Sequence, residues 1–263
     1  MSHADPPPPM PTVVLLGASN LTIALPTALH LAGRSIGGPA RFLVALGHGR
    51  SYGMTSRILC RSLPSIDACG LWDALGAGPA QPTYALVTDI GNDLGYGQPA
   101  ARLVEWVRVC LDRLRGIEAK VVMTPLPMAA LAGLSPRRYA FYRALLFPGL
   151  RLTREELLAR AREADAGLRA VAGDLNVALA EHDGRWYGLD PIHIRRAHQP
   201  TAYSTMFNAW RAAERSPAAT KPPLRFRRRV RRGAPQQRWV LGRERIRPQP
   251  CVRLADGSTL AMY

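Results

Sequence analysis

The first two hundred residues alternate short apolar runs with stretches of helical periodicity. No other feature constrains the fold as strongly. Residues 12–17 (TVVLLG), 41–46 (RFLVAL), 83–90 (TYALVTDI) and 120–124 (KVVMT) read as buried strands. Between and after them the pattern predicts helices from about Leu21 to Ala32, over 100–115 ahead of Gly116, from Thr153 to about Ala172, and from Pro200 to about Ala213. The third of these opens on Thr153-Arg-Glu-Glu156, a capping-box pattern. A further helix is expected over 55–63, after the glycine-rich turn GHGRSYG, and a short fifth strand over 185–189. Strands joined by helices imply an α/β fold, a three-layer α/β/α sandwich with a central parallel sheet of flavodoxin-like type. Sites in such sheets lie at the carboxyl ends of the strands.

Four polar residues sit where that rule looks for them. Ser19 follows the first run and Asn92 the third, while Asp190 and His193 form an Asp-Pro-Ile-His unit near the end of the alternating region. A serine hydroxyl is a poor nucleophile unless a base takes its proton, and histidine has the intrinsic pKa for that task. The histidine needs an acceptor to fix its tautomer, which Asp190 can supply across one tight turn. The tetrahedral intermediate needs donors aimed at its oxyanion. Each residue alone is commonplace: a turn serine, a loop Gly-Asn-Asp, a surface Asp-x-x-His. Their joint occurrence, in order and at strand ends, points to acyl transfer.

The set resembles the SGNH/GDSL hydrolase family. Its four blocks are matched by Gly17-Ala18-Ser19-Asn20-Leu21, by Gly49-Arg50-Ser51-Tyr52-Gly53-Met54-Thr55, by Gly91-Asn92-Asp93 and by Asp190-Pro191-Ile192-His193. The resemblance covers about residues 12–213. It implies that Ser19 is the nucleophile, His193 the general base and Asp190 its orienter. It also implies an oxyanion hole built from the backbone N–H groups of Ser19 and Gly53 and the side-chain amide of Asn92. The implied reaction is ester hydrolysis through an acyl-serine, with no cofactor and no metal. One position departs: the family's Gly-Asp-Ser reads Gly-Ala-Ser here, so Ala18 leaves the nucleophile loop without its usual carboxylate. Asn20 is the candidate to replace some of those bonds. The departure motivates an alternative reading, a catalytically weak or inactive binding protein of the same fold. Asn20, His48, Tyr52 and Asp93, together with Arg195, adjoin the motifs and are candidate substrate contacts. His30, His182 and His198 read as helix, loop or surface groups, and His3 lies in the N-terminal lead-in. The GHGRSYG turn lacks the spacing of a phosphate-binding loop, so an oxyanion donor is its better reading.

Composition divides the chain. Of 263 residues and a net charge of +16, residues 211–263 carry +11. The expected organisation is a proline-rich lead-in over 1–11, a hydrolase-like domain over 12–215 and an arginine-rich extension over 216–263 whose last residues, PCVRLADGSTLAMY, read as a β-hairpin. The segment LRFRRRVRRG suggests electrostatic attachment to nucleic acid or an anionic membrane, against the plainer reading of a solvated tail. No run approaches the roughly 20 apolar residues a spanning helix requires. The start of the chain lacks the pattern of a secretory signal, and Cys60, Cys69, Cys110 and Cys251 form no C-x-x-C pair. The expected location is therefore cytoplasmic, with reduced thiols. Residues 126–152 are apolar and aromatic. They read either as a lid or acyl-binding wall, or as an extra helix packed on the sheet edge.

Overall fold

In the computed structural model, which describes residues 10–77, 81–210 and 218–263, the apolar runs form the interior of one sheet. In chain order the elements are β1 (Thr12–Leu16), α1 (Ser19–Ile36), β2 (Arg41–Ala45), β3 (Ser56–Ile58), β4 (Arg61–Leu63), α2 (Leu71–Gly76), β5 (Thr83–Val87), α3 (Asn92–Gly95), α4 (Ala100–Arg115) and β6 (Lys120–Met123). There follow α5 (Met128–Ala132), α6 (Pro136–Leu146), α7 (Arg154–Asp174), β7 (Ala178–Leu179), a 3-10 turn (Gly184–Trp186) and α8 (Gln199–Asn208). The chain closes with α9 (Leu224–Val230), β8 (Gln237–Val240), β9 (Arg243–Ile246), β10 (Val252–Arg253) and β11 (Thr259–Met262).

The main sheet has the order β10-β11-β2-β1-β5-β6-β7, parallel throughout except for β10. Side chains alternate across a strand, so β1 feeds both layers. Val13 and Leu15 pack with α1 and α8, while Val14 and Leu16 pack with α4 and α7. Burial on both faces explains why the run is apolar without alternation. This is the α/β/α sandwich the alternation implied, with strand ends and helix starts gathered along one edge. The capping box of α7 is present: Thr153 Oγ1 accepts from Glu156 N at 3.2 Å, and Glu156 Oε2 accepts from Thr153 N at 2.7 Å.

Three expectations are corrected. Residues 55–63 form the β3–β4 hairpin with a two-residue turn, not a helix. The apolar spacing of Ile58, Leu59 and Leu63 mimics a helical period, but β4 pairs with β8, and long-range pairing overrides local propensity. Residues 185–189 are not a strand. The Asp183 side chain accepts from Arg185 N at 2.8 Å and tightens the segment into the 3-10 turn, and the strand beside β6 is the two-residue β7. The extension does not hang free. The expected hairpin is present as β10–β11, and β11 then lies parallel to β2 in the main sheet. The arginine-rich segment forms α9, which packs on α1 with Val230 buried and Phe226 edge-on to His30. The proposed boundary at 215/216, the end of the last predicted helix over 211–213, His3 and most of the lead-in fall outside the described residues. Among the described residues no helix is long and apolar enough to cross a membrane.

Candidate active site

Ser19 is the first residue of α1, three residues beyond the end of β1. Backbone N–H groups in a first helical turn have no intrahelical acceptor, and the helix dipole makes that end favour negative charge. Two hydrogen bonds link the side chains. Ser19 Oγ lies 2.9 Å from His193 Nε2, and His193 Nδ1 lies 2.6 Å from Asp190 Oδ2. With Nδ1–H donating to the carboxylate, Nε2 is left to accept the serine proton. Asp190 is itself held by its own turn, because Oδ1 accepts from Ile192 N at 2.9 Å and His193 N at 3.2 Å. The hydrogen bond to Asp190 raises the His193 pKa above its ordinary value. Burial opposes this, and the charges of Asp190 and Asp89 add to it. For Asp190, burial pushes upward, but the bonds from His193 and Ile192 hold the carboxyl below its usual range.

Two further residues lock these pieces together. Asn20 straddles the histidine: its Nδ2 donates to Ile192 O at 3.0 Å and its Oδ1 accepts from Ile194 N at 2.7 Å. These two bonds align the His193 loop with α1 and give Asn20 a positioning role, while the residue also lines the cavity that opens beside Ser19. Asp89, two residues past β5, places Oδ2 at 2.9 Å from both Ala18 N and Leu21 N. It supplies from a neighbouring strand the carboxylate that Ala18 does not carry. Its backbone is left-handed (φ 57°), a conformation aspartate tolerates better than most residues. The sequence offered one signal for it: Asp89 lies at the same strand edge as Ser19 and Asn92.

The second block departs from expectation. Gly53 N donates to Ser51 Oγ at 3.2 Å, so its N–H is already used. Ser51 Oγ also accepts from Met54 N at 2.8 Å and donates to Asp93 Oδ1. Gly53 is required for another reason: a methyl group there would come within 1.9 Å of the Trp106 ring. Gly53→Ala is therefore expected to overpack this contact, at a cost of about 1–3 kcal/mol, and to lower the thermal midpoint by several degrees. Differential scanning calorimetry checks this, and an unchanged midpoint would remove the packing role.

The loop that approaches Asn92 lies earlier. Asn92 Nδ2 donates to Arg50 O at 3.1 Å, which leaves the second amide hydrogen available. In the same loop Gly49 has φ 59°, and its N–H has no partner among the described residues. Tyr52 and Asp93 are fully buried. Tyr52 donates to Thr88 O at 2.7 Å and Asp93 accepts from Tyr52 N at 3.1 Å, so both are structural rather than substrate-facing. Burial lifts the pKa of each. His48 is exposed at the rim; burial, then the charges of Arg61 and His193, lower its pKa. Arg195 donates to Arg185 O at 2.7 Å and turns away to His198.

Beside Ser19 opens an apolar cavity of about 120 Å³. Leu126, Leu131, Leu134 and Phe147 help to line it, so residues 126–152 form one wall through α5, α6 and their flanks, and Leu158 of α7 adds to another. Away from Ser19 and Asn92, three of its polar lining groups, Arg154, His182 and Tyr187, are bonded to neighbouring protein groups. Arg154 donates to Leu134 O and Ala132 O. His182 Nε2 bonds Pro125 O at 2.9 Å, and Tyr187 O–H donates to His182 Nδ1 at 2.8 Å. His182 is thus a half-buried wall group rather than a surface one, and desolvation lowers its pKa. Among the described residues no group of three or more His, Cys, Asp or Glu side chains is placed to hold a metal ion.

No protein-family model matches this chain, and no curated protein matches it. Among solved structures, one at 13% identity superposes with a TM-score of 0.51 over 77% of this chain and 96% of its own. A carbohydrate acetylesterase family member from Sinorhizobium meliloti is similar at 14% identity and TM-score 0.49, covering 74% and 93%. TesA is similar at 18% identity and TM-score 0.48, covering 76% and 98%. At these identities the likeness concerns the fold alone.

Proposed function

We propose that this protein hydrolyses carboxylic esters through an acyl-serine intermediate on Ser19, and that the acyl group it takes is an apolar chain. The observation that carries the reading is the unbroken relay from Ser19 Oγ through His193 to Asp190 at 2.9 and 2.6 Å. Ser19 Oγ attacks the carbonyl carbon as its proton passes to His193 Nε2. The ester C–O bond then breaks, and His193 returns the proton to the departing alkoxide. Water attacks the acyl-serine, again giving its proton to His193, and Ser19 leaves with that proton as the acid is released. Asp190 stays ionised throughout and stabilises the imidazolium. The developing oxyanion is met by Ser19 N–H at the positive end of α1 and by the Asn92 amide, with Gly49 N–H rather than Gly53 N–H as the third donor.

The cavity favours an apolar acyl group over a sugar. A polar ligand needs convergent donors and acceptors, and here Arg154, His182 and Tyr187 have spent theirs on neighbouring protein groups. Turnover of p-nitrophenyl esters of graded chain length tests both parts. Each methylene that enters the cavity is expected to raise kcat/KM about threefold to fourfold until the space is filled. A pre-steady-state burst of nitrophenol would report the acyl-serine. Absence of turnover on every ester would remove the enzyme claim, while a preference for acetate would remove the acyl-chain claim alone.

The base must be neutral to act, and the Asp190 bond raises its pKa. Activity is therefore expected to fall on the acid side with a midpoint above the ordinary histidine value of about 6.5. A kcat/KM profile with its acid limb below that value would contradict His193 as the base.

A further inference from the structure

The small sheet β3-β4-β8-β9 takes no part in the chemistry above, and its register gives it an unusual face. Residues directly opposite on paired strands share a face. Ile58 lies opposite Arg61, Arg61 opposite Val240, and Val240 opposite Arg243. Arg238, two residues from Val240, lies opposite Arg245. Arg61, Arg238, Arg243 and Arg245 therefore share one face. Glu244, the acid of β9, lies opposite Trp239 on the other, where Gln237 Nε2 donates to it at 2.6 Å. None of the four arginines forms an ion pair among the described residues. Like charges directly opposite each other destabilise a strand pair, so Arg238 and Arg245 sit at a cost that an external anion would relieve.

The hairpin tips add a second observation. Leu59 in the β3–β4 turn is 101% exposed and Leu241 in the β8–β9 turn is 78% exposed. Leu241 N donates to Cys60 O at 2.8 Å, so the tips lie side by side. Both leucines are left-handed (φ 53° and 51°), a conformation that favours glycine or asparagine in exposed turns. Two adjacent turns thus each place a large apolar side chain in water at a strained position. Arg57 and Arg61 flank one tip and Arg243 follows the other.

We propose that these paired tips are a membrane-docking element, with Leu59 and Leu241 entering an anionic phospholipid surface and the neighbouring arginines pairing with its phosphates. Apolar tips ringed by arginine match the layering of a bilayer interface, apolar inside and anionic at the headgroups. Nucleic acid would use the charge but give the leucines nothing to enter. The element borders the catalytic site: Ile58 packs on Gly49, since a methyl group there would lie 2.6 Å from Ile58 Cδ1. Arg61 acts on the His48 imidazole at the rim, after burial the largest influence on it. Docking would therefore bring acyl lipids to the mouth of the Ser19 site. The surface itself stands without that reading.

Co-sedimentation of the full chain with vesicles tests the proposal without measuring activity. The protein is expected to sediment with phosphatidylglycerol–phosphatidylcholine vesicles at low salt, to release at high salt, and to ignore pure phosphatidylcholine. Leu59→Asn with Leu241→Asn suits the left-handed turns better than leucine, so the fold is kept, and partitioning should drop at least tenfold. Arg61→Gln with Arg243→Gln should weaken it about fivefold per arginine. Arg225→Gln with Arg228→Gln, on the exposed side of α9, should change it less than twofold. Unchanged partitioning of the asparagine variant would overturn the proposal. So would equal losses from the α9 pair, which would reduce the effect to net charge. A duplex DNA that strips the protein from vesicles, and binds the asparagine variant equally well, would point to nucleic acid instead.

Discussion

Ser19→Ala and His193→Ala are each expected to lower kcat on an activated ester by about 10⁶-fold, and the double variant to fall no further than either single one. The non-additivity is the informative part. Ser19 Oγ is useful only while His193 Nε2, 2.9 Å away, can take its proton, and His193 has nothing to activate once the hydroxyl is gone. Residual rate should come from the oxyanion donors and from substrate binding, which neither substitution touches. KM should change little, because both groups act mainly on the transition state. Additive losses in steady-state kinetics would mean that the two side chains act in separate steps, and the relay would have to be abandoned.

Asp89→Ala should cost about 10²-fold in kcat with KM nearly unchanged, whereas Asp89→Asn should retain activity within about tenfold of the original. Asp89 Oδ2 accepts from Ala18 N and Leu21 N and so fixes the turn that presents Ser19. Alanine leaves both N–H groups without an acceptor and frees the turn. A displacement near 1 Å at a reacting atom is enough for a loss of that size. Asparagine keeps an acceptor oxygen. A second readout separates positioning from mere structural damage. The charge of Asp89 helps to raise the His193 pKa, so both variants should move the acid limb of kcat/KM to lower pH. If alanine and asparagine lose activity equally and the limb stays in place, Asp89 acts only through stability.

The parts of the site legible in the sequence were those fixed by local geometry and by the strand-edge rule. Ser19 and Asn92 follow apolar runs of parallel strands, so their convergence follows from the sheet. Asp190 and His193 pair within one turn and need no long-range information. The oxyanion glycine was not legible in the same way. Whether the Gly53 N–H is free for that role depends on Ser51 Oγ, which accepts from it while donating to Asp93 Oδ1, and on Trp106, whose ring packs against Gly53. Tyr52 and Asp93 adjoin the motif in sequence, yet their side chains turn into the core, because adjacency along a loop says nothing about direction. The β3–β4 hairpin looks helical in sequence because its partner strand, β8, lies far along the chain in a segment that resembles a solvated tail. For the same reason the tail's contribution to the main sheet through β11 has no local signal beyond an Asp-Gly turn between alternating residues.

The central claim is that Ser19 carries the acyl group. Its most direct test is mass spectrometry of the protein after reaction with a fluorophosphonate, which adds covalently to an activated serine oxygen with loss of fluoride. The expected result is one adduct per chain, on the peptide containing Ser19, with esterase activity lost in proportion and no adduct in His193→Ala. Full activity after exhaustive labelling, or an adduct confined to another serine such as Ser51, would contradict the account.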